Sequence, residues 1–134
     1  MSDAYRNAHN AVRAERGPAS LHQCVWCWGD AEHWSYDHSD PNEQTDKRRR
    51  FSTDTAHYRP MCARCHRTYD RLHRENAGAD RMEREFFKAR MRYPRETLEA
   101  MAERRAIRVH TYVNGKRRTA PLTVVQTTIQ RVMV

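Results

Sequence analysis

The spacing of apolar positions along the chain predicts both short helices and short strands. Apolar residues recur every three or four positions where a helix is expected, and every second position where a strand is expected. In the first 78 residues this pattern predicts a helix at 3–16, a strand at 31–38, a polar surface loop at 39–55 and a second helix at 65–78. Trp34 and Tyr36 fall on one face of the strand, and Gly17-Pro18 and Gly78 end the two helices.

The remaining residues are predicted to continue as helices and a β-hairpin. Helices are expected at 80–93 and 94–105, and a strand is expected at 107–113. Pro94 can begin the second of these helices, because proline has no N–H to lose at a helix start. Asn114-Gly115 is a strong hairpin turn signal. In the C-terminal tail, the β-branched content favours a strand while the spacing of apolar residues favours a helix.

The composition fits one small domain with an appendage, and a core that needs additional support. The chain has 134 residues, of which 38% are hydrophobic, a low share for a globular domain. No apolar run approaches the roughly 18 residues of a membrane span, so no integral membrane protein is expected. The N-terminus has no signal-peptide pattern, which predicts a cytoplasmic protein. A weak core of this size usually depends on disulfides or a metal, which draws attention to the four cysteines.

The charge of the chain indicates a polyanionic partner. The formal net charge is +8, and 22 of the 25 basic residues are arginine. Arginine binds a phosphate through two parallel hydrogen bonds, which makes nucleic acid the natural partner. Residues 80–134 carry 13 basic and 6 acidic side chains, the largest excess of positive charge along the chain. The alternative is a soluble basic protein whose charge has no specific partner.

Two C-x-x-C pairs, separated by 34 residues, predict a metal site. Both thiolates of such a pair can face one ion, and two pairs complete the tetrahedral sulphur site typical of zinc. Two disulfides are the competing interpretation, which a reducing compartment disfavours. A zinc ion with four thiolate ligands has no open position for substrate, so we expect a structural ion held by Cys24, Cys27, Cys62 and Cys65.

Four polar residues lie between or beside these pairs in an order that suggests chemistry. They are Asp37, His38, His57 and His66, in the stretches YDHSDPNE and HYRPMCARCHRTYDR. A neutral imidazole is a suitable base for water near pH 7, which makes His38 the candidate general base. A carboxylate and an imidazole can share a divalent cation with open positions for water and phosphate, which makes Asp37 and His66 candidate ligands of Mg²⁺ or Mn²⁺. The other histidines of this region are expected to face solvent: His22, His33 and His73.

These motifs resemble the HNH nuclease family, in particular its zinc-stapled branch of the endonuclease VII type. The resemblance covers about residues 20–74 and rests on both C-x-x-C pairs, the Asp-His pair and the Cys-His step. His57 stands where the family usually has asparagine, and Trp28 stands where glycine is common. The resemblance implies that His57 orients the general base, although as a histidine it could join the cation instead.

The resemblance also implies a fold and a function. The expected fold is α+β, with a treble-clef-like ββα-metal core and an N-terminal helix in residues 1–78, and a basic, DNA-binding region of helices and a β-hairpin in residues 79–134. The expected activity is hydrolysis of phosphodiester bonds in duplex or branched DNA, by a monomer or a homodimer. A zinc-stabilised nucleic-acid-binding or regulatory protein without catalysis is the alternative. The candidate phosphate contacts are Arg48, Arg49, Arg50, Arg59, Arg64, Arg67, Lys116, Arg117 and Arg118.

Overall fold

The fold is built on an antiparallel strand pair that leads directly into a helix. A computed structural model describes residues 3–113 and 116–117 of the chain. Its elements, in order, are α1 (Asp3–Arg16), β1 (His33–Tyr36), β2 (Gln44–Asp46), β3 (Arg49–Phe51), β4 (Tyr58–Met61), α2 (Ala63–Arg74), α3 (Ala79–Arg90), α4 (Arg95–Thr111), β5 (Tyr112–Val113) and β6 (Lys116–Arg117). The described strands form three antiparallel pairs, β1–β4, β2–β3 and β5–β6. The predicted α+β class is confirmed.

Helix α1 has the bounds that its apolar spacing predicts. Ala8 and Val12 point into the protein and are buried. The helix ends where Gly17 adopts a φ of +80°, a left-handed conformation that glycine takes without a Cβ clash. The N–H of Gly17 donates to the carbonyl of Arg13 at 2.8 Å, which satisfies one of the last carbonyls of the helix. The predicted stop signal therefore acts as the C-terminal cap.

A first core lies between α1 and the β1–β4 pair. Trp34 and Tyr36 are buried together, as predicted for one face of the strand, and they cluster with Val12 and Tyr58. Nε1 of Trp34 donates to the carbonyl of Gly17 at 3.0 Å. The indole N–H is therefore satisfied inside the protein, as buried polar groups require.

The register of the β1–β4 pair fixes where α2 begins. His33 lies opposite Met61, and the next residue, Cys62, is the N-cap of α2. The sulphur of Cys62 accepts a hydrogen bond from the backbone N–H of Cys65 at 3.4 Å. Cys65 and Leu72 are the buried residues of α2. The strand pair and the helix therefore meet at a corner formed by cysteines.

A second core forms around the cysteines and includes residues of α3. Met82, Phe86 and Tyr93 pack against it. Its buried members are Cys24, Trp26, Cys27, Met61, Cys62, Cys65, Leu72 and Ala89. Residues on both sides of position 79 therefore contribute to one core.

Helix α4 is longer than the sequence predicts. Residues 107–111 were expected in a strand and form instead the last turn of α4. Arg105 and Arg108 donate hydrogen bonds to Asp30 at 2.7 Å and 2.9 Å, and these contacts anchor the helix on both sides of residue 107. Ile107 and Val109 are exposed, so their strand preference is not supported by any packed sheet face.

The polar region 39–55, predicted as a loop, contains the hairpin β2–β3. Gln44 lies opposite Phe51 in this pair, and Lys47 at the turn has a φ of +56°. Phe51 is buried, whereas the arginines beside it in β3 are exposed. The prediction failed because a three-residue strand with one buried side chain has too short a pattern to be detected.

The β5–β6 pair agrees with the predicted hairpin, because two residues separate its paired strands. Those two residues, Asn114-Gly115, lie outside the described part of the chain, as do Arg118 and the tail at 119–134. For Lys116 and Arg117 the structure describes the strand alone, so their predicted phosphate contacts stay predictions. None of the helices in the described part of the chain combines the length and the apolar character that crossing a bilayer requires.

Candidate functional site

Four cysteine side chains converge in the second core. All four are buried, and their sulphur atoms lie within 4.8 Å of one another. The sulphurs of Cys27 and Cys62 are 3.8 Å apart, and all four thiols are free, so the alternative of two disulfides is wrong. Metal–sulphur bonds of about 2.3 Å in a tetrahedral site place neighbouring sulphurs about 3.8 Å apart. The cluster therefore has the donors and the spacing to hold a metal ion such as zinc.

Hydrogen bonds within the cluster favour the thiolate form of Cys24 and Cys62. The hydrogen bond with Cys27 is the largest cause that lowers the pKa of Cys24 to about 6. The hydrogen bond with Cys24 is in turn the largest cause that lowers the pKa of Cys62 and raises the pKa values of Cys27 and Cys65. Metals bind the thiolate form, so the lowered pKa values of Cys24 and Cys62 favour the form that would bind an ion.

Arg92 supplies a positive charge beside the cluster. Its Nη1 donates to the sulphur of Cys65 at 3.3 Å and to the sulphur of Cys62 at 3.5 Å. Four thiolates leave a net negative charge on a bound Zn²⁺, and a guanidinium within hydrogen-bond distance offsets part of it. Arg92 would therefore help to orient the cysteine ligands and to offset the charge of a bound ion.

The first C-x-x-C turn accommodates the unusual tryptophan at position 28. Trp28 has a φ of +65°, a conformation in which glycine is the common residue. The guanidinium of Arg90 lies 3.5 Å from the centroid of the Trp28 ring, and Nε of Arg90 donates to the carbonyl of Trp26 at 2.8 Å. The cation–π contact helps to offset the backbone strain at this position.

Asp70 on α2 organises a second cluster. Its two carboxylate oxygens lie 2.9 Å from Nε2 of His38 and 3.1 Å from Nε2 of His66. Burial acts to raise the pKa of Asp70, but the hydrogen bonds from His38 and His66 outweigh it and hold that pKa well below its usual range. Asp70 is therefore a carboxylate at neutral pH, and it brings together two of the predicted site histidines.

The imidazole of His38 is held by rings on several sides. Its centroid lies 4.3 Å from that of His73, 4.9 Å from that of Tyr36 and 5.6 Å from that of Tyr69. When Nε2 donates to Asp70, the lone pair of the neutral ring is on Nδ1. A fixed imidazole with its lone pair on Nδ1 can accept a proton from water.

His66 has a further partner in His33, at the start of β1. The Nδ1 atoms of the two rings are 3.0 Å apart, so His33, Asp70 and His66 form a continuous link between β1 and α2. His33 is exposed, as predicted, whereas His22 and His73 are partly buried. The prediction that all three face solvent is therefore wrong for two of them.

Asp37 belongs to a separate group with Ser39 and His57. One of its oxygens accepts from the N–H and the hydroxyl of Ser39 at 2.9 Å and 2.7 Å, and Nδ1 of His57 lies 3.2 Å from the same oxygen. Burial acts to raise the pKa of Asp37, but the hydrogen bonds from Ser39 and His57 lower it overall. The hydroxyl of Tyr69 donates to the backbone carbonyl of Asp37 at 2.7 Å, which ties this group to α2.

The predicted site residues are thus paired in two sets. His38 and His66 meet at Asp70, and Asp37 meets His57. Asp37 and His66, which were predicted to share a cation, have different partners among the described residues. Within the part of the chain that the structure describes, the cysteines are the single group of three or more metal-ligating side chains whose ligand atoms converge this closely.

Asp70 is the site residue that the sequence analysis missed. A signal was present, because His66 and Asp70 are four residues apart on a predicted helix and must lie on one face. The contact between Asp70 and His38 joins residues 32 positions apart in the sequence and depends on the packing of α2 beside β1.

The predicted phosphate contacts in the first 78 residues are exposed, but they differ in their surroundings. Arg50 forms an ion pair with Glu43 at 3.5 Å, and the guanidinium of Arg49 lies 5.4 Å from the ring centroid of Tyr5. The exposed members of this group are Arg48, Arg49, Arg50, Arg59, Arg64 and Arg67. Several arginines of the C-terminal region bind the protein itself, namely Arg90, Arg92, Arg105 and Arg108. Part of the arginine excess therefore serves the fold.

Comparisons of the chain with protein-family models, with curated proteins and with solved structures find no match in any of the three. The functional interpretation therefore rests on the residues themselves. They provide four convergent thiols, two histidines that share the carboxylate of Asp70, and the Asp37–His57 pair.

Proposed function

We propose that the protein is a metal-dependent DNA endonuclease of the HNH type, with a structural zinc ion held by the four cysteines. The observation that carries the proposal is the pairing of His38 with Asp70, beside the strand pair and helix that the cysteines join. Hydrolysis of a phosphodiester requires an oriented base for water, positive charge near the phosphate and in-line geometry. The antiparallel pair β1–β4 followed by α2 supports the proposal, because a ββα core consists of two antiparallel strands and a helix.

His38 is the proposed general base. The carboxylate of Asp70 fixes the tautomer in which Nδ1 carries the lone pair, and it stabilises the imidazolium that forms when Nδ1 takes a proton from water. The stacked ring of His73 restricts rotation of the base. The base is therefore oriented before the substrate binds, which lowers the entropic part of the barrier.

Asp37 is the proposed oxygen ligand of a Mg²⁺ or Mn²⁺ ion, and His66 is the proposed nitrogen ligand. Asp37 suits this role because it is ionised and because these hard cations prefer carboxylate oxygen. His57 is the alternative second ligand, since its Nδ1 already lies 3.2 Å from Asp37. When bound, such a cation would stabilise the charge that develops on the phosphate and on the leaving oxygen.

A nucleic-acid-binding protein without catalysis is the second candidate, and one observation favours it. Asp37 and His66 have different partners among the described residues, so the two proposed ligands are not assembled on one point in the free protein. A pure binding protein would need the zinc ion and the exposed arginines. It would have no use for a carboxylate that orients His38.

A plasmid-nicking assay separates the two candidates. Zinc-loaded wild type, His38→Ala and His38→Asn are incubated with supercoiled plasmid and Mg²⁺ or Mn²⁺. His110→Ala is the matched control, because His110 lies on α4 outside the histidine cluster. Asparagine is included because His38 has a φ of +61°, and asparagine tolerates this conformation better than alanine does. We expect both His38 variants to lose about 10²–10⁴-fold in nicking rate and the control to keep it.

Two results would overturn the enzymatic proposal. If both His38 variants nick as fast as wild type, the activity does not use this base. If wild type leaves the plasmid intact with either cation but retards it in a gel, the protein is the non-catalytic DNA-binding protein of the second candidate.

A further inference from the structure

Four exposed arginines form a row along α2. They occupy positions spaced three, four and three residues apart, at Arg64, Arg67, Arg71 and Arg74. Residues at this spacing lie on one face of a helix. At 1.5 Å per residue, the row extends over about 15 Å. The four arginines therefore form a positively charged stripe on α2, the helix that also contains Asp70.

The fold itself does not explain this row. Among the described residues, none of the four side chains forms an ion pair or a hydrogen bond, whereas Arg90 and Arg105 have partners inside the protein. Like charges three or four residues apart destabilise a helix. A cation in the first turn, where Arg64 lies, also opposes the helix dipole.

Asp70 connects the row with the proposed base. One surface groove is lined by Arg64, Arg67, Thr68, Asp70, Arg71 and Arg74. The carboxylate of Asp70 in turn binds His38 and His66. A polyanion in this groove would therefore lie beside the residue that orients the proposed general base.

We infer that this arginine row is the docking edge for the phosphate backbone of the substrate DNA, and that α2 thereby positions the scissile phosphate relative to His38. The inference rests on the proposed function. A repeating row of guanidinium groups matches a repeating polyanion, because each strand of a duplex carries one phosphate per roughly 3.4 Å of axis. Each guanidinium can bind a phosphate through two hydrogen bonds.

The chemistry of α2 favours DNA over an anionic lipid surface. A helix that binds lipid needs an apolar face beside its basic residues. The apolar residues of α2, Cys65 and Leu72, are buried in the core, and Tyr69 packs against the same core. To a partner, α2 therefore presents arginine side chains and Thr68, and no exposed large apolar side chain.

The test compares two double variants that remove the same charge. Arg67→Ala/Arg71→Ala removes the centre of the row, and Arg6→Ala/Arg13→Ala removes two exposed arginines from α1. Binding of a fluorescein-labelled 20-base-pair duplex is measured by anisotropy without added divalent cation, at several salt concentrations. We expect the row variant to bind about tenfold more weakly or worse, with a slope of log affinity against log salt that is shallower by about two. The control should lose less than about threefold in affinity, and zinc content and circular dichroism should match wild type for both.

Equal losses in the two variants would mean that net charge alone governs binding, and would overturn the inference, as would the absence of any loss. Tighter binding of wild type to phosphatidylserine vesicles than to DNA, lost in the row variant, would make the row a lipid surface and would also overturn it. The result is independent of catalysis. A selective loss of DNA binding in the row variant supports the docking edge even if wild type proves unable to nick DNA, which would refute the proposed chemistry alone.

Discussion

The carboxylate of Asp70 and Nε2 of His38 are 2.9 Å apart, and this contact orients the imidazole of His38. Replacing Asp70 by Asn keeps the size of the side chain but removes the charge that favours imidazolium. It also allows an amide to hold the wrong tautomer of His38. We expect Asp70→Asn to lower the nicking rate by about 10²–10⁴-fold. Asp80→Asn on α3 is the matched control, and equal rates in the two variants would exclude a role for Asp70 in orienting the base.

The same carboxylate should make stability depend on pH in the acid range. The hydrogen bonds from His38 and His66 depress the pKa of Asp70 in the folded protein, against the opposing effect of burial. A depressed pKa contributes stability that is complete above the unfolded value, about 3.9 for aspartate, and is lost as pH falls towards the folded value. Below about pH 5, the advantage of wild type over Asp70→Asn in free energy of unfolding should therefore shrink as the pH falls.

Urea denaturation of both proteins, from pH 7 down to the lowest pH at which zinc stays bound, measures this difference. Taking the difference removes the contribution of the other carboxylates, such as Asp37, which both proteins share. An advantage that grows as the pH falls below about 5 would contradict the sign of the shift.

The cysteine cluster should make folding depend on a metal. The sulphurs lie within 4.8 Å of one another at the centre of the second core, and a structural zinc ion supplies on the order of 10 kcal/mol of folding free energy. We expect about one zinc ion per chain by elemental analysis, and loss of the helical circular dichroism signal when Cys62 is changed to Ser. Wild type stripped with a strong chelator should lose the same signal and regain it when zinc is restored. A chain that stays folded in excess chelator would contradict this.

Local signals in the sequence were sufficient where an element is defined by its own residues. Helix α1 has both predicted ends, because the apolar spacing and the Gly17 cap act within the helix. The cysteine site was predicted for a similar reason. The two-residue spacing within each pair already orients both thiols, and the fold needs only to bring the pairs together.

Features that depend on distant contacts could not be predicted in the same way. The extension of α4 through residues 107–111 follows from the contacts of Arg105 and Arg108 with Asp30, more than 70 positions away. The grouping of His38 with His66 depends on Asp70. The composition indicated that the arginines bind phosphate, and gave no indication that some of them would be used inside the protein.

The contact between Asp30 and Arg105 provides a stability prediction. Arg105 is only 7% exposed, and its Nη1 lies 2.7 Å from Asp30. The pair is part-buried, because the side chain of Asp30 is 29% exposed. Removing Asp30 leaves the guanidinium of Arg105 without its partner, so we expect Asp30→Ala to cost about 1.5–3 kcal/mol in free energy of unfolding. Glu99→Ala breaks the exposed pair with Arg95 on the same helix and should cost less than about 1 kcal/mol. Both losses are measured by urea denaturation. Similar losses in the two variants would show that the contact between Asp30 and Arg105 does not stabilise the packing of α4.

A buried tyrosine, Tyr58, should fix the position of the segment between β3 and β4, which contains His57. The hydroxyl of Tyr58 donates to the carbonyl of Ser52 at 2.8 Å and accepts from the N–H of Ser52 at 3.1 Å, and both residues are almost fully buried. Tyr58→Phe leaves these two backbone groups without their partner, which should cost about 1–3 kcal/mol. Tyr112→Phe, at a half-buried position on β5, is the control. Amide hydrogen exchange should be faster around Ser52 and His57 in Tyr58→Phe alone, because the loss concerns the segment between β3 and β4. Unchanged exchange in that segment would mean that other contacts fix the position of His57.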